Sequence, residues 1–427
     1  MKPSFNTALN PGRPPKRISD DALLDAVARA ALAFVWDFAH PASGMVRERS
    51  AGAFGYDIHQ VVTTGGTGFG IMALLSGAAR GWLRREDVAE RVYQVCQFLL
   101  SAKRHSGVFP HFMDGETGAT IPFMPTDDGG DLVETAFLVA GLLAARQAFI
   151  DRDEIVAAVD AICGTVEWDA HLRAADSALM WHRSARHPWT DKSLPIRGWN
   201  EALLVYVLAT GAANHAIPAQ VYHQCWATAE EFVNGRDHYG IRLPLGPDGG
   251  GPMFLSHYSF LGIDPTGLRD RYADYGEQVR AHAAINRAHC IENPHGFDGY
   301  DEVCWGLSAS DSPGGYAAHS PTNDLGVITP TAAVASIPFL PDASLAALRH
   351  FVDDRGGTLW GPYGLADAFV PGGDWVAPGT LAIDQAPIVV MIENYRSGLL
   401  WDLSMSAAQV QRGLAGLGFT SPRLTIG

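Results

Sequence analysis

Four carboxylates lie within eight residues of this chain, immediately before an apolar stretch with helical periodicity. A Gly-Gly pair separates Asp127 and Asp128 from Asp131 and Glu134. In a helix that begins here, Asp131 and Glu134 are three residues apart and point to one side. Clustered carboxylates repel one another, which can keep one of them protonated near neutral pH for acid–base chemistry. Acids in a first turn also cap helices, but four acids exceed what capping requires.

Four further charged residues lie near the starts or ends of predicted helices. Glu201 closely follows Trp199, and a carboxyl beside an indole is in an environment that raises its pKa toward general-acid use. Asp384 opens a late helix, where it could equally be a cap. Glu393 and Arg396 are three residues apart and are expected to pair with each other.

Several other kinds of site are disfavoured by residue spacing. The sixteen His contain no HExxH or other zinc spacing, so no catalytic metal or cofactor is expected. No GxSxG motif supports a serine hydrolase. The glycine-rich segment 64–70 lacks the Gly-Lys-Ser/Thr of a phosphate loop, so close helix packing explains it better. The five Cys are widely spaced, which predicts free thiols.

Composition restricts the possible partners. The formal net charge of −15 argues against nucleic acid, whereas a neutral substrate fits. The sequence contains no run of about 18 consecutive apolar residues, so no membrane-spanning helix is expected. Residues 1–18, rich in Pro and basic residues, are expected to be disordered, and 19–427 to form one domain. The location is expected to be cytoplasmic, or periplasmic or secreted if a leader has been removed.

Helical periodicity dominates the remainder of the chain. It predicts twelve helices over 20–39, 62–82, 86–101, 131–150, 152–167, 199–213, 218–233, 263–285, 327–337, 341–353, 382–397 and 404–418. Their close spacing in pairs predicts an all-α (α/α)6 barrel with long loops. Strands are expected at 108–112 and 241–245, confined to loop hairpins.

Many aromatic residues lie in Gly/Pro-rich segments rather than on periodic faces, which suggests stacking surfaces around a wet cleft. The candidate substrate-binding residues are Trp199, His257, Tyr258, Trp305, Tyr316, His319, Trp375 and Arg396. Two carboxyl groups, one acid and one base, together with aromatic side chains that stack on sugars, are sufficient for cleaving a glycosidic bond.

The chain resembles the bacterial β-1,2-glucanases of glycoside hydrolase family 144, which have a glycoamylase-like domain. The matching segments extend over residues 20–405 and include 65–70, 131–135, 166–169, 198–201, 257–262, 304–307 and 391–396. The resemblance implies an (α/α)6 fold, no metal, and anomer-inverting hydrolysis of β-1,2-glucan or sophoro-oligosaccharides.

The resemblance also implies which acids act. The family's candidate acids fall on Asp127, Asp131, Glu134 and Glu201, with Asp384 a further one. We assign the general acid to Glu201 and the water-activating base to the cluster that holds Asp131, with Asp384 as the rival base. Endo action is favoured. The alternatives are an exo-acting, sophorose-releasing enzyme, a transglycosylase, or a non-catalytic glucan-binding module.

Turnover is expected to survive metal chelation, because two carboxyl groups suffice for this chemistry. Hydrolysis measured with and without EDTA should agree. Loss of turnover that one divalent ion restores would contradict this expectation.

Overall fold

The computed structural model describes residues 9, 12–14, 16–51, 56–124, 127–175, 177–188 and 193–425. This part of the chain contains thirteen α-helices. They are α1 Asp20–Asp37, α2 Thr64–Ala79, α3 Arg85–Ser101, α4 Leu132–Ala148, α5 Asp153–Gly164, α6 Leu203–Gly211, α7 Tyr275–Glu292, α8 Pro330–Val334, α9 Pro341–Arg349, α10 Gly356–Leu359, α11 Ala382–Ser397, α12 Leu399–Met405 and α13 Ala408–Gly416.

The helices form two concentric rings, the (α/α)6 barrel that the sequence predicts. Helices α2, α4, α6, α8 and α11 are buried along almost their whole length, as expected for inner helices. Two buried 3-10 turns, Met253–Ser256 and Ser259–Leu261, lie between α6 and α7 in the chain. Outer helices such as α3, α5 and α9 bury one face only. No described helix is long and apolar enough to cross a membrane.

All strands are two or three residues long and pair in antiparallel fashion. They are β1 Val61–Thr63, β2 Phe112–Asp114, β3 Thr120–Ile121, β4 Gly130–Asp131, β5 Leu172–Arg173, β6 Ala178–Leu179, β7 His182–Arg183, β8 Asp237–His238, β9 Ile241–Arg242, β10 Ala309–Ser310, β11 Ala317–Ala318, β12 Trp360–Gly361 and β13 Gly364–Leu365. The expectation that strands occur only in hairpins is wrong for two pairs, since α2 and α3 separate β1 from β2, and α4 and α5 separate β4 from β7. Strands β4 and β7 are about fifty residues apart, and their register places Asp131 opposite His182.

Two predicted helices differ from the observed ones. The helix expected at 263–285 begins at Tyr275, because Asp274 caps it by accepting the N–H of Glu277 at 3.0 Å. The helix expected at 218–233 is reduced to the short π-type turn Tyr222–Trp226 and neighbouring turns. Segment 218–233 contributes Tyr222, Trp226 and Phe232 to the core, so its apolar periodicity does not require a long regular helix.

Much of the predicted disordered segment 1–18 lies outside the described residues. Of the part that is described, Leu9 is buried. The backbone N–H of Arg17 donates to Asp353 at 3.2 Å, and the carbonyl of Ile18 accepts from Arg349 at 2.9 Å.

Inner helices α2 and α4 approach each other through two glycines, which confirms close packing for the glycine-rich segment. A Cβ built on Gly68 would lie 2.1 Å from the carbonyl oxygen of Phe137, and one on Gly141 would lie 2.2 Å from that of Gly68. Because backbone atoms oppose both positions, no side-chain rotation can make room. This contact determines how closely the carboxylate-bearing start of α4 approaches α2.

Substituting Gly68→Ala is therefore expected to lower the free energy of unfolding by about 2 kcal/mol or more, as overpacking does in a close-packed core. Urea unfolding measures the change. Gly164→Ala is the matched control, because a Cβ there meets no atom within 4 Å. Equal stability of the two variants would contradict the close helix contact.

Candidate active site

A cavity of about 230 Å³ opens where several inner segments meet, and two acids of the predicted set line it. Glu134 comes from the first turn of α4 and Glu201 from the turn that precedes α6. The other lining residues are Glu48, Arg49, Thr63, Phe69, His111, Phe112, Phe123, Val133, Phe137, Trp181, Phe254, Tyr258, Tyr316, Leu381 and Ile383. The cavity therefore combines carboxyl groups with a mainly aromatic wall.

Asp131 is a fully buried carboxylate that organises one side of the site. Its Oδ1 accepts the backbone N–H groups of Val133 and Glu134, both at 3.0 Å, and so caps α4. Its Oδ2 lies 3.0 Å from His111 Nδ1 and 3.2 Å from His182 Nε2. Burial alone would raise the pKa of Asp131, but these two imidazoles outweigh it and hold that pKa below its usual range.

The charged groups around Asp131 shift one another's pKa values. Burial would lower the pKa of His111, but the carboxylates of Glu134, Asp131 and Asp127 raise it to about 10. The pKa of His182 is raised for the same reason, by Asp131 and Asp127 against the effect of burial. Burial and the neighbouring Asp131 raise the pKa of Asp127. Asp127 is buried, and neither of its carboxylate oxygens accepts a hydrogen bond.

Glu134 faces the cavity and is held in place by the backbone of α2. Its Oε2 accepts the N–H of Gly65 at 2.8 Å, and a Cβ on Gly65 would lie 2.6 Å from that oxygen. Glycine is therefore required for this approach. Burial raises the pKa of Glu134; His111 opposes the rise, and Asp131 adds to it.

Glu201 is a cavity-lining carboxyl whose pKa is raised to about 7, mainly by burial and also by the nearby Glu134. The helix predicted from residue 199 begins at Leu203, within a few residues of the predicted start. Ser259 fixes this turn because its hydroxyl donates to the Glu201 carbonyl at 2.5 Å and accepts the N–H of Leu204 at 3.1 Å.

Asp384 lies in a separate group of acids beside the cavity. Burial and the adjoining Asp367 raise its pKa. Asp367 also accepts the backbone N–H of Asp311 at 2.9 Å. The buried Arg49 balances this charge by bridging Asp311 at 3.0 Å and Glu48 at 2.7 Å. Two adjoining buried carboxyl groups cannot both be ionised at low cost, so this pair retains a proton.

Two of the predicted aromatics, Tyr258 and Tyr316, line the cavity. Tyr258 stacks on Phe254 with ring centroids 5.2 Å apart. Phe123 stacks on His111 at 4.5 Å while 42% of its surface remains exposed, so one of its faces is available to a ligand. Together with Trp181, these rings provide flat apolar surfaces of the kind that stack on pyranose rings.

The predicted tryptophans Trp199, Trp305 and Trp375 are not among the residues that line this cavity. Trp199 is buried against Trp226, Phe260 and Tyr275, and Trp305 is fully buried in the core. Trp375 packs on a small satellite cluster of Val327, Ala368 and Ala377. These three tryptophans are packing residues of long loops rather than platforms for a ligand.

Three polar residues predicted to bind substrate, His257, His319 and Arg396, also do not line the cavity. His257 is buried and bonded to Ser336 Oγ at 3.0 Å, and burial lowers its pKa to about 3. His319 is buried, and neither of its ring nitrogens makes a hydrogen bond. Arg396 does not pair with Glu393; it binds Asp21 and Asp25 of α1. Glu393 instead accepts from Arg80 at 2.6 Å, which again joins separate helices.

His111, His182, Phe123 and Arg49 belong to the site although sequence reasoning did not select them. Each comes from a loop or short strand, and no local spacing connects them to the acids. The β4–β7 pairing brings His182 opposite Asp131, and such long-range pairing leaves no local signal. Among the described residues, His111, Asp127 and Asp131 have the ligand types and proximity that could hold a metal ion.

Comparison with known proteins identifies the family. The model of the glycoamylase family, described as "Putative glucoamylase", matches residues 193–408. A "putative glucoamylase" from Bacteroides uniformis is 48% identical, with a TM-score of 0.93 over 96% of this chain and 100% of its own. The chain belongs to the glycoamylase family.

Two relatives with named activities are also similar. The endo-β-1,2-glucanase of Chitinophaga pinensis, solved with sophorotriose and glucose, is 46% identical, with a TM-score of 0.92 over 95% of this chain and 100% of its own. The exo β-1,2-glucooligosaccharide sophorohydrolase of Parabacteroides distasonis is 41% identical over 93% of this chain. This chain spans 58% of the length of that relative. The resemblance to family 144 that the motifs indicate is confirmed.

The raised pKa of Glu201 gives a pH prediction. A folded-state pKa near 7 keeps the carboxyl protonated below that pH, so general-acid activity is lost as the pH rises through about 7. Glu201→Gln should remove this alkaline limb and lower kcat about 10²–10⁴-fold. The pH profile of kcat/KM for each enzyme measures this. The exposed Glu302→Gln serves as control, and near-wild-type turnover by Glu201→Gln would contradict the role.

Proposed function

We propose that this protein hydrolyses β-1,2-glucosidic bonds in linear β-1,2-glucan or its oligosaccharides. The observation that carries the proposal is the cavity in which Glu201 and Glu134, both with raised pKa, face an aromatic wall. Glycosidic cleavage requires one carboxyl that stays protonated and a second that activates water. The named activities of the Chitinophaga and Parabacteroides relatives support β-1,2-glucan as the substrate.

In the proposed reaction, Glu201 donates its proton to the leaving glycosidic oxygen. A carboxylate across the sugar removes a proton from water as the water attacks the anomeric carbon, with inversion. Asp131 cannot be this base, because four donors already occupy its two oxygens. Two candidates remain. Glu134 lines the cavity directly, and Asp384 belongs to the proton-sharing pair beside it.

The buried charge around the cavity supports catalysis over simple binding. A glucan-binding module requires aromatic platforms and hydrogen-bond donors, but it gains nothing from burying carboxyl groups whose pKa is raised by several neighbours. Such groups cost free energy to bury and are characteristic of acid–base sites. The raised pKa values of Glu201, Glu134 and Asp384 therefore favour an enzyme.

Endo and exo action are both represented among the similar proteins, so the product pattern decides between them. We expect linear β-1,2-glucan to be cut into a range of oligosaccharides at early times, as in endo hydrolysis. Sophorose as the sole early product would assign the exo alternative. Products longer than the starting material would assign transglycosylation.

Product sizing by chromatography and the anomeric signals in proton NMR measure this reaction. Inverting hydrolysis of a β-linkage should give the α-anomer first. Glu134→Gln and Asp384→Asn then identify the base, which is the residue whose variant loses turnover while retaining substrate affinity. Failure of the wild-type protein to cleave β-1,2-glucan would overturn the proposal, and binding without cleavage would favour a binding module.

A further inference from the structure

A second cavity, of about 340 Å³, lies next to the candidate active site and has a positively charged wall. Lys103, Arg104 and Arg186 line it, and Asp128 is the only carboxylate among its described lining residues. Its volume falls within the range of about 300–1,000 Å³ that small-molecule sites occupy. Three cations around one cavity are conspicuous on a chain whose formal net charge is −15. The cavity is therefore a candidate site for a small anion.

The two cavities are neighbours but differ in character. Pro110 and Pro122 line the second cavity, and the residues that follow them in the chain, His111 and Phe123, line the first. None of the acids that we assign to hydrolysis is among the described residues of the second cavity. Its described wall also lacks the Phe, Tyr or Trp rings that stack on a sugar. The second cavity is thus a separate site with different binding chemistry.

Arg104 is oriented toward a ligand without a carboxylate partner. Its Nη1 donates to Thr165 Oγ1 at 2.9 Å, and its guanidinium carbon lies 5.2 Å from the centre of the Phe109 ring. Burial lowers the pKa of Arg104, and no described carboxylate opposes this effect. A guanidinium that is already oriented and partly desolvated loses little freedom when it binds an anion.

The charges around the second cavity match those of a phosphate group. Arg186 Nη1 lies 3.7 Å from Asp128 Oδ2, so one of the three cations is partly balanced. His105 also lines the cavity, but burial and Arg183 lower its pKa, which keeps it neutral at pH 7. Three cations and one carboxylate leave a charge of +2 on the wall. A phosphate monoester carries about −1.5 to −2 at this pH.

The acids of the active site do not cancel this positive charge. His111 lies 3.0 Å from Asp131 and 3.7 Å from Asp127, and its pKa is raised to about 10, so it is positively charged at neutral pH. His182 lies against the same two carboxyl groups, and its pKa is raised as well. The charge of this neighbouring cluster is therefore balanced largely within the cluster itself.

Ser184 adds a hydroxyl donor in a fixed position. Its Oγ accepts the backbone N–H of His187 at 2.9 Å, which leaves its own O–H to donate to a ligand. The wall is tightly packed here, because a Cβ on Gly129 would lie 2.4 Å from the carbonyl oxygen of Arg183 and 2.4 Å from Ser184 Cβ. Charged and hydroxyl donors of this kind form the strong hydrogen bonds of phosphate sites.

We propose that the cavity lined by Lys103, Arg104 and Arg186 binds a phosphate group, either as inorganic phosphate or as part of a sugar phosphate. The planar N–H groups of arginine match the spacing of phosphate oxygens, and lysine adds a point charge. Asp128 weakens the binding because its carboxylate repels the anion. The proposal does not rest on glucan hydrolysis, and its test requires no glucan.

Binding to the wild-type protein is measured by calorimetry with three probes: inorganic phosphate, glucose 6-phosphate and glucose. Sodium chloride holds the ionic strength constant, so that general screening does not differ between them. We expect one phosphate group per chain and a Tm that rises on binding, whereas glucose should not compete with phosphate. Tighter binding of glucose 6-phosphate than of inorganic phosphate would support a sugar phosphate as the ligand, and equal binding would support the free anion.

Matched variants locate the site. Arg104→Gln and Lys103→Gln should each weaken phosphate binding by at least about tenfold, the usual effect of losing a hydrogen bond to a charged group. Asp128→Asn should tighten binding, because it removes the repelling carboxylate. Arg236→Gln, which breaks a surface pair with Asp248 at 3.2 Å, should bind as the wild type does. Far-ultraviolet circular dichroism checks that each variant is folded.

The wild-type titration decides the proposal even if a variant fails to fold. Absence of saturable phosphate binding by the wild-type protein would overturn it. So would phosphate binding that persists unchanged in folded Arg104→Gln and Lys103→Gln. Displacement of phosphate by glucose would also overturn it, because the cavity would then be a site for neutral sugar.

Discussion

The carboxylate of Asp131 is the interaction on which the rest of the site depends. One of its oxygens caps α4 and the other lies between two imidazoles, so a single side chain links the helix to the β2 and β7 segments. An N-cap of this kind contributes about 1 kcal/mol to stability. Its larger effect is positional, because it determines where the first turn of α4 begins and therefore where Glu134 points.

Once α4 is placed, the glycines of α2 complete the arrangement. Gly68 and Gly141 let the two helices touch through their backbones, and Gly65 then meets the Glu134 carboxyl with its N–H. The fold thus brings a carboxyl group to the cavity with the His111 imidazole 4.0 Å away. Burial raises the pKa of Glu134 although His111 opposes the rise, and burial also raises the pKa of Glu201.

The sequence was sufficient to predict the helical barrel and the acids, because both leave local signals. Helical periodicity is repeated along the chain, and four clustered carboxylates are conspicuous where charged residues are few. The glycine-rich segment was also interpreted correctly, since its spacing fits no phosphate loop. These are features that depend on residues near one another in sequence.

Features that depend on distant residues could not be predicted in this way. His182 reaches Asp131 through strands that pair across about fifty residues, and His111 comes from the loop before β2. An aromatic residue in a loop resembles a stacking platform in sequence, yet Trp199 and Trp305 are buried, because long loops also require side chains that anchor them in the core. Arg396 and Glu393 have ideal helical spacing, but each binds a partner on another helix.

The central claim is that Glu201 delivers the proton to the leaving oxygen. A crystal structure of Glu201→Gln with a bound β-1,2-gluco-oligosaccharide tests it most directly. The side-chain amide should lie within hydrogen-bond distance of the scissile glycosidic oxygen, with a water molecule on the opposite face of the sugar beside Glu134 or Asp384. A bound sugar whose scissile oxygen faces Glu134, with residue 201 contacting no reacting atom, would contradict the account.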